Sequence, residues 1–504
     1  MDFQRASGIL LQPTSLPSRF GIGDLGKSAY EFVDFLAKSG QKLWQILPLG
    51  PTGYEHSPYT MNFSAFAGNH LLISLDLLAE EGLLSQDELI PIKADLEPDK
   101  VNFDAVVPHK IGLLKIAYKS FHASLTSKQK AAFEEFCQAQ AYWLDDYALF
   151  MALLEANEGK SWNNWERAIA LRHPDAIQAQ SAALKDSIAF HKFLQFKFFA
   201  QWSKLREYAN EKDIKIIGDI SIYVCHNSAD VWANRDIFKL DSETFDPAFI
   251  AGVPPDYFSA TGQLWGNPVY NWEELEKTNF AWWIDRFKAT LQYVDFVRVD
   301  HFRGFEAYWQ VPAGEETAIN GEWLKAPGKE LFETLRSALG EMPPILAEDL
   351  GIITKEVEEL RDRFNFPGMR ILMFAFSEDA TNTHLPHNYV PNSVVYSGTH
   401  DNDTAIGWWG KANHKEKQFL AQYLGYSSPE NIQEINWILI RTALASVAKL
   451  AIIPLQDILG LDNRARMNDP SKIPGNWRWR YESSDLLTEE LSDRLLQLTQ
   501  IYNR

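Results

Sequence analysis

Two cysteines in 504 residues, Cys137 and Cys225, are too few for a disulfide framework, and no Cys-x-x-Cys spacing is present for zinc. A reducing compartment is expected. Positive charge is also scarce: 48 Lys and Arg against 67 Asp and Glu give a net charge of −19. Phosphate backbones and anionic lipid repel such a chain, so neither nucleic acid nor membrane is an expected partner. The acidic residues form no long single-sign block, which fits a role in solubility. Long apolar runs are missing too. The opening stretch MDFQRASGILLQPTSL has no apolar core of signal-peptide length, and nothing approaches a membrane span. A soluble cytoplasmic protein is expected. There is no fixed internal repeat. What the chain has in quantity is aromatics, 17 Trp, 18 Tyr and 31 Phe, which suit both a large core and flat stacking surfaces.

Short apolar segments followed by amphipathic helices recur along the chain. The candidate strands are Gly8–Gln12, Lys42–Leu49, Lys215–Val224, Asp295–His301, Pro344–Leu350, Met369–Phe376, Ser393–Asp401 and Ala448–Leu459. Several are apolar throughout, as parallel strands covered on both faces should be. Helices are expected at Ser28–Gly40, Leu184–Asn210, Trp272–Tyr293, Lys329–Leu339, Thr354–Phe364, Pro429–Val447 and Asp485–Tyr502. Eight strands alternating with helices predict an α/β fold, a (β/α)8 TIM barrel over residues 1–504. A doubly wound open sheet is the rival. It would usually carry a Gly-rich phosphate turn after its first strand, and QPTSLPSRFGIGDLG lacks one. Two gaps are too long for plain loops. Residues 50–183 read as an inserted helical subdomain and 225–271 as an inserted active-site loop region. Both follow strands, so both should rise from the catalytic face.

Four predicted strands end in carboxylates: Asp219, Asp300, Glu348 and Asp401. The stretch DFVRVDHFRG, residues 295–304, is the most telling. With a period of two, Val297 and Val299 face the helices, whereas Arg298 and Asp300 point into the barrel mouth. One strand-end aspartate is commonly a cap or loop anchor, and an Arg–Asp pair is commonly structural. Four carboxylates at the same end of four strands point instead to catalysis. A retaining glycosidase needs an ionised nucleophile and a second carboxylic acid about 5–5.5 Å away. Arg298 beside Asp300 suits the first, and a glutamate crowded by carboxylates suits the second. The residues also permit a metal-dependent hydrolase, with His226, His301 and His400 among the aspartates. No His-x-His or HExxH pairing supports it. Arg303, just past the strand, either orients loop backbone or does nothing.

At these positions the chain resembles the amylomaltases, the 4-α-glucanotransferases or disproportionating enzymes of glycoside hydrolase family 77 in the α-amylase clan. The motifs are FVRVDHFRGF, LAEDLG and SGTHDND, with PTSLPSRFGIGDLG, HSPYT, FSAFAGN, GVPPDYFSATGQLWGNPVYNW and RMNDPSKIPGNWRWR. They run from about residue 10 to 480. The resemblance implies a barrel with inserted, largely helical subdomains on its C-terminal face and no C-terminal β-sandwich. It implies Asp300 as nucleophile, Glu348 as general acid/base and Asp401 as transition-state stabiliser. Arg298, His301, His400, Tyr59, Ser57, Asp219, Asp256, Trp265 and Asn267 match positions that bind substrate. The expected substrates are maltooligosaccharides and other 1,4-α-glucans, with no metal and no cofactor. Hydrolysis by the same triad, as in α-amylases, and glucan binding without catalysis are the alternatives. Tyr257, Phe258, Trp265 and Tyr270 offer either sugar stacking or anchors for their loop. Trp477 and Trp479 in NWRWR pose the same choice. Thr60–Met61–Asn62 and Ser471 depart from the family pattern, in loops.

Overall fold

A computed structural model describes the chain apart from residues 1–2, 54–55, 60–61, 93–96, 125, 256–258, 378 and 473. Eight parallel strands close a barrel: β1 Ala6–Leu10, β2 Leu43–Gln45, β3 Lys215–Ile220, β4 Phe296–Val299, β5 Ile345–Ala347, β6 Gly368–Ile371, β7 Ser393–Tyr396 and β8 Leu450–Pro454. They pair in chain order, and β1 closes on β8 through Ala6 opposite Leu450. Each lies within an expected strand or overlaps it. Apart from β1, the observed strands are shorter, because the C-terminal residues of each prediction have left the sheet and carry the rim.

The strands are apolar because helices cover their outer faces. Val297 and Val299 are fully buried. The helix Lys185–Glu211 buries Phe190, Phe193, Leu194, Phe198, Trp202 and Leu205; Trp202 packs against Trp44 of β2, while Phe190 and Phe193 meet Tyr118 and Phe121 of the helix Phe103–Ser124. Each such side chain contributes roughly 1.5–3 kcal/mol through removal from water. Trp202 also donates its indole N–H to the carbonyl of Tyr293, 2.8 Å away, so its polar atom is satisfied. Inside the barrel, polar side chains pair with one another. Tyr396 on β7 donates to Gln45 on β2 at 2.8 Å across the interior.

Three helices end differently from expectation. Trp272–Tyr293 is two helices, Trp272–Lys277 and Ala281–Leu291. Asn279 and Phe280 between them have positive φ, and the break lets Phe280, Trp282 and Trp283 all reach the core. Pro429–Val447 becomes a short 3-10 turn and the helix Ile435–Ala445, separated at Glu434, again with positive φ. In the last helix, Thr488 caps Glu489–Ile501 by accepting from the Leu491 N–H, which detaches the 3-10 turn Ser484–Leu486.

Between β2 and β3 the chain forms helices that include Phe103–Ser124, Ser127–Ala139 and Ala141–Ala156. Residues 225–271 are not only loop. They supply the strands Phe249–Val253 and Gln263–Pro268, which join Ala307–Pro312 and Glu322–Lys325 in a four-stranded antiparallel sheet. The latter two strands lie between β4 and β5. This sheet, unforeseen from the sequence, touches the barrel rim at both Trp265 and Trp323.

Candidate active site at the barrel rim

The register of β3 against β4 places Asp219 opposite Arg298. Both point inward. The Arg298 guanidinium donates to Asp219 at 2.6 Å and, through its other terminal nitrogen, to Asp300 at 2.8 Å. Asp219 is completely buried, whereas the Asp300 side chain is 26% exposed at the mouth. Burial pushes the Asp219 carboxyl up, to about 7, against the pull of Arg298. The two acids in turn push Arg298 well above its ordinary value, despite its burial. Arg298 is therefore a fixed positive charge shared by two strands.

Tyr59, from the segment after β2, donates its hydroxyl to Asp219 at 2.9 Å. Its ring stacks on His400 with centroids 5.1 Å apart and planes within 8°. Ser57 is buried and accepts the backbone N–H of Tyr59 at 3.3 Å. Burial lowers the basicity of His400, although Asp401 opposes this.

Glu348 follows β5 and is held from two sides. One oxygen accepts the N–H of His301 at 2.7 Å, and the other accepts the N–H of Leu350 at 2.8 Å. Burial, and next the negative charge of Asp300, push its carboxyl up to about 7; Arg298 and the two N–H groups oppose them. His301 has φ of +51°, unusual for a residue with a Cβ. That conformation turns its N–H toward Glu348. Burial, with help from Arg303, lowers the His301 ring to about 3, so it is neutral at physiological pH.

Asp401, past β7, is 44% exposed. His400 lies 3.3 Å from one of its oxygens, and the Asn468 amide donates to the other at 2.7 Å. Arg466 donates to the Asp401 carbonyl at 2.5 Å and to Asp403 at 2.7 Å. Sequence reasoning missed both Asn468 and Arg466. RMNDPSK reads only as a motif, and nothing in its own pattern tells which rim residue it will meet.

The aromatic alternatives resolve individually. Tyr270 is buried and donates to the carbonyl of Ile222 at 2.8 Å, so it anchors its segment. Asn267 is likewise buried, and its amide donates to the Val224 carbonyl at 2.9 Å. It fastens the rim sheet to the end of β3, an anchoring contact rather than a free amide at the rim. Trp265 sits edge-on to His301 at 4.8 Å and stays partly exposed. Trp477 lies 5.8 Å from both Tyr59 and His400, while Trp479 is buried and docks its loop through its carbonyl, which accepts from Ser15 at 2.7 Å. Asp256, Tyr257 and Phe258 lie outside the described residues, as do Thr60 and Met61. Among the described residues, no group of three or more His, Cys, Asp or Glu side chains is placed to hold a metal ion.

The rim therefore gathers four carboxylates, one shared guanidinium, two histidines and an aromatic wall. A family model described as 4-alpha-glucanotransferase, glycoside hydrolase family 77, matches residues 11–487. The 4-alpha-glucanotransferase of Synechocystis sp. is 56% identical over 502 residues, covering 99% of this chain and 98% of the relative. That of Thermus thermophilus is 47% identical over 494 residues, covering 97% of each. The structure of the amylomaltase from Streptococcus agalactiae in complex with acarbose superposes with a TM-score of 0.94 at 40% identity, covering 99% of this chain and all of the other.

Proposed function

The chain belongs to the 4-alpha-glucanotransferase family, and from that membership we infer an enzyme that moves a segment of a 1,4-alpha-D-glucan to the 4-hydroxyl of an acceptor glucan or glucose. The acarbose complex of the Streptococcus agalactiae amylomaltase supports a glucan-shaped site. The rim suggests how the work is divided. Asp300 attacks the anomeric carbon from its place against Arg298. Glu348 gives its proton to the departing glycosidic oxygen, and a glycosyl–aspartate ester forms. Once the leaving glucan has gone, the acceptor enters. Glu348, now ionised, takes the proton of the acceptor 4-hydroxyl as that oxygen displaces Asp300. Two inversions retain the α configuration. Asp401, oriented by Asn468 and His400, faces the positive charge that develops on the sugar ring in both steps.

One observation carries this reading: Glu348 is a half-buried carboxyl held by two backbone N–H groups and brought to about 7. Such a group can be acid in one step and base in the next at neutral pH. Transfer must also beat water. Trp265 against His301, and Trp477 beside Tyr59 and His400, give flat surfaces on which an acceptor or donor ring displaces solvent. We also propose Ser57 and Asp256 as substrate-side residues, with Asn267 acting on the site through the sheet it anchors, residues 50–183 and 225–271 as inserted walls of the site, and the cytoplasm as its location, in keeping with two unpaired thiols. No helix among the described residues is long and apolar enough to cross a membrane.

Incubation with maltotriose tests the reading. Transfer yields glucose together with maltooligosaccharides longer than three units. Only shorter products, with a matching rise in reducing ends, would make the protein a hydrolase. An Asp300→Asn enzyme with an unchanged product pattern would remove the nucleophile from the scheme.

A further inference from the structure

Arg303 has no place in the scheme above, yet it is only 6% exposed. Burying a guanidinium without a carboxylate against it is costly, so its contacts should explain it. No ion pair among the described residues includes it; Glu306 is the acid whose charge it feels. One terminal nitrogen donates to the carbonyl of Ile352. The guanidinium lies over the ring of Trp323, 3.7 Å from its centroid, on the edge strand of the rim sheet. Trp323 is itself braced edge-on by Trp309 at 5.3 Å.

These contacts close a loop of bonds around the acid/base. Glu348 is tied to His301 on the turn after β4 and to Leu350 on its own turn. Two residues beyond His301 stands Arg303, and two beyond Leu350 stands Ile352. The Arg303–Ile352 contact joins the far ends of the two turns that grip the carboxyl. The near ends are already joined by backbone, since Phe302 donates to the Glu348 carbonyl at 3.1 Å. The turn has little slack on its inner side: a Cβ on Gly304 would meet Ile222 at 2.6 Å and the His301 ring at 3.0 Å. Arg303 also adds positive charge beside His301, which favours the neutral ring next to the catalytic pair.

We propose that Arg303, held flat against Trp323, is a positioning residue that fixes the Glu348 carboxyl for proton transfer by locking the turn after β5 to the turn after β4. Trp323 gives the guanidinium its plane, so a lysine, which keeps the charge but not the flat fork, would not replace it. The proposal rests on Glu348 being the acid/base.

The test compares two donors. Maltotriose has a sugar oxygen to expel and needs the Glu348 proton. α-Maltosyl fluoride does not: Asp300 forms its bond to C1, the C–F bond breaks, and fluoride leaves with the electron pair. Arg303→Met, Arg303→Lys and Trp323→Ala should each lower kcat on maltotriose by about 30-fold, a fraction of what general acid catalysis supplies. KM should stay within about threefold, and first-turnover fluoride release should fall by less than about threefold. Trp323→Phe, which keeps a ring under the guanidinium, should retain at least about half of kcat. Equal losses on both donors, or no loss on either, would overturn the proposal. The two Trp323 variants alter a residue that is 37% exposed, so they carry the test even where an Arg303 variant does not fold. Glu348→Gln separates the two readings. If it shows no difference between donors, the acid/base assignment fails; if it shows the difference and Arg303→Met does not, this inference fails.

Discussion

Asn468 is the most informative position to perturb, because its single amide contact reaches the exposed member of the proposed catalytic set. Its Nδ2 donates to Asp401 at 2.7 Å, while its backbone N–H donates to the His400 carbonyl at 3.0 Å. The backbone bond survives any side-chain change, so the loop should stay closed. A hydrogen bond to a charged group contributes about 1.5–3 kcal/mol. The exposure of Asp401 places this one at the lower end, which corresponds to roughly a tenfold loss of kcat/KM in Asn468→Ala. Asn468→Asp sharpens the test. Two carboxylates would then meet where an amide and a carboxylate meet now, and at about 4 Å their repulsion is about 1–4 kcal/mol. The pair would hold one proton to a pH about 1–3 units above the usual aspartate value. Below that pH the protonated partner donates as the amide does; above it the donor is lost and the charges push apart. Activity relative to the native enzyme should therefore fall by about tenfold from pH 5 to pH 8 in Asn468→Asp, and stay flat in Asn468→Ala. Glucose release from maltotriose across that range measures both. An Asn468→Ala enzyme within threefold of native, or a flat ratio for Asn468→Asp, would refute the role given to this contact.

Three further outcomes follow from the same geometry. Because Glu348 is raised to about 7 and in the proposed scheme acts first as an acid, kcat on maltotriose should decline as pH rises through that value, by about tenfold per unit beyond it; a rate–pH profile with no inflection between pH 6 and 8 would contradict this. Tyr59→Phe keeps the stack on His400 but removes the only side-chain donor other than Arg298 that Asp219 has among the described residues. A loss of about 1.5–3 kcal/mol in urea unfolding is expected, larger than a surface substitution would cost. Gly368→Ala would place a methyl 2.3 Å from an Asp349 oxygen, whose partner oxygen is pinned by the Met369 N–H at 2.6 Å. Such overpacking costs about 1–3 kcal/mol and should lower the thermal midpoint with little change in KM.

The barrel was legible because its strands are covered on both faces, and an apolar run such as Leu450–Pro454 has no other good use. The carboxylates were legible because charge at the end of such a run has to be explained. The rim sheet was not. Phe249–Val253 is five residues with an internal Gly, and Glu322–Lys325 is mostly exposed, so neither has a marked period. Each becomes a strand by pairing with Ala307–Pro312, remote from the first in sequence. For the same reason Tyr270 and Trp265, five residues apart in one motif, could not be told apart. One is fully buried with its hydroxyl on the Ile222 carbonyl, and the other ends at the rim against His301. Asn468 escaped, and the choice left open for Arg303 could not be made, because their partners lie 67 and 49 residues away, across a barrel that has to close first.

The division of labour proposed for four similar acids follows from their partners. Asp219 and Asp300 share Arg298, but they differ in access: one is sealed, and the other opens on the mouth where a sugar would lie. Only the open one can reach an anomeric carbon. Glu348 takes its hydrogen bonds from backbone N–H groups, which carry no full charge, so burial outweighs them and the carboxyl keeps its proton to about 7. Asp401 has the Asn468 amide and the His400 ring on its carboxylate, and Arg466 reaches only its backbone carbonyl. A guanidinium there would cancel the charge that the sugar ring needs in the transition state. In the proposed scheme, placing one arginine between β3 and β4, and none on β5 or β7, is thus what would let one strand end attack, one deliver a proton and one face the oxocarbenium ion.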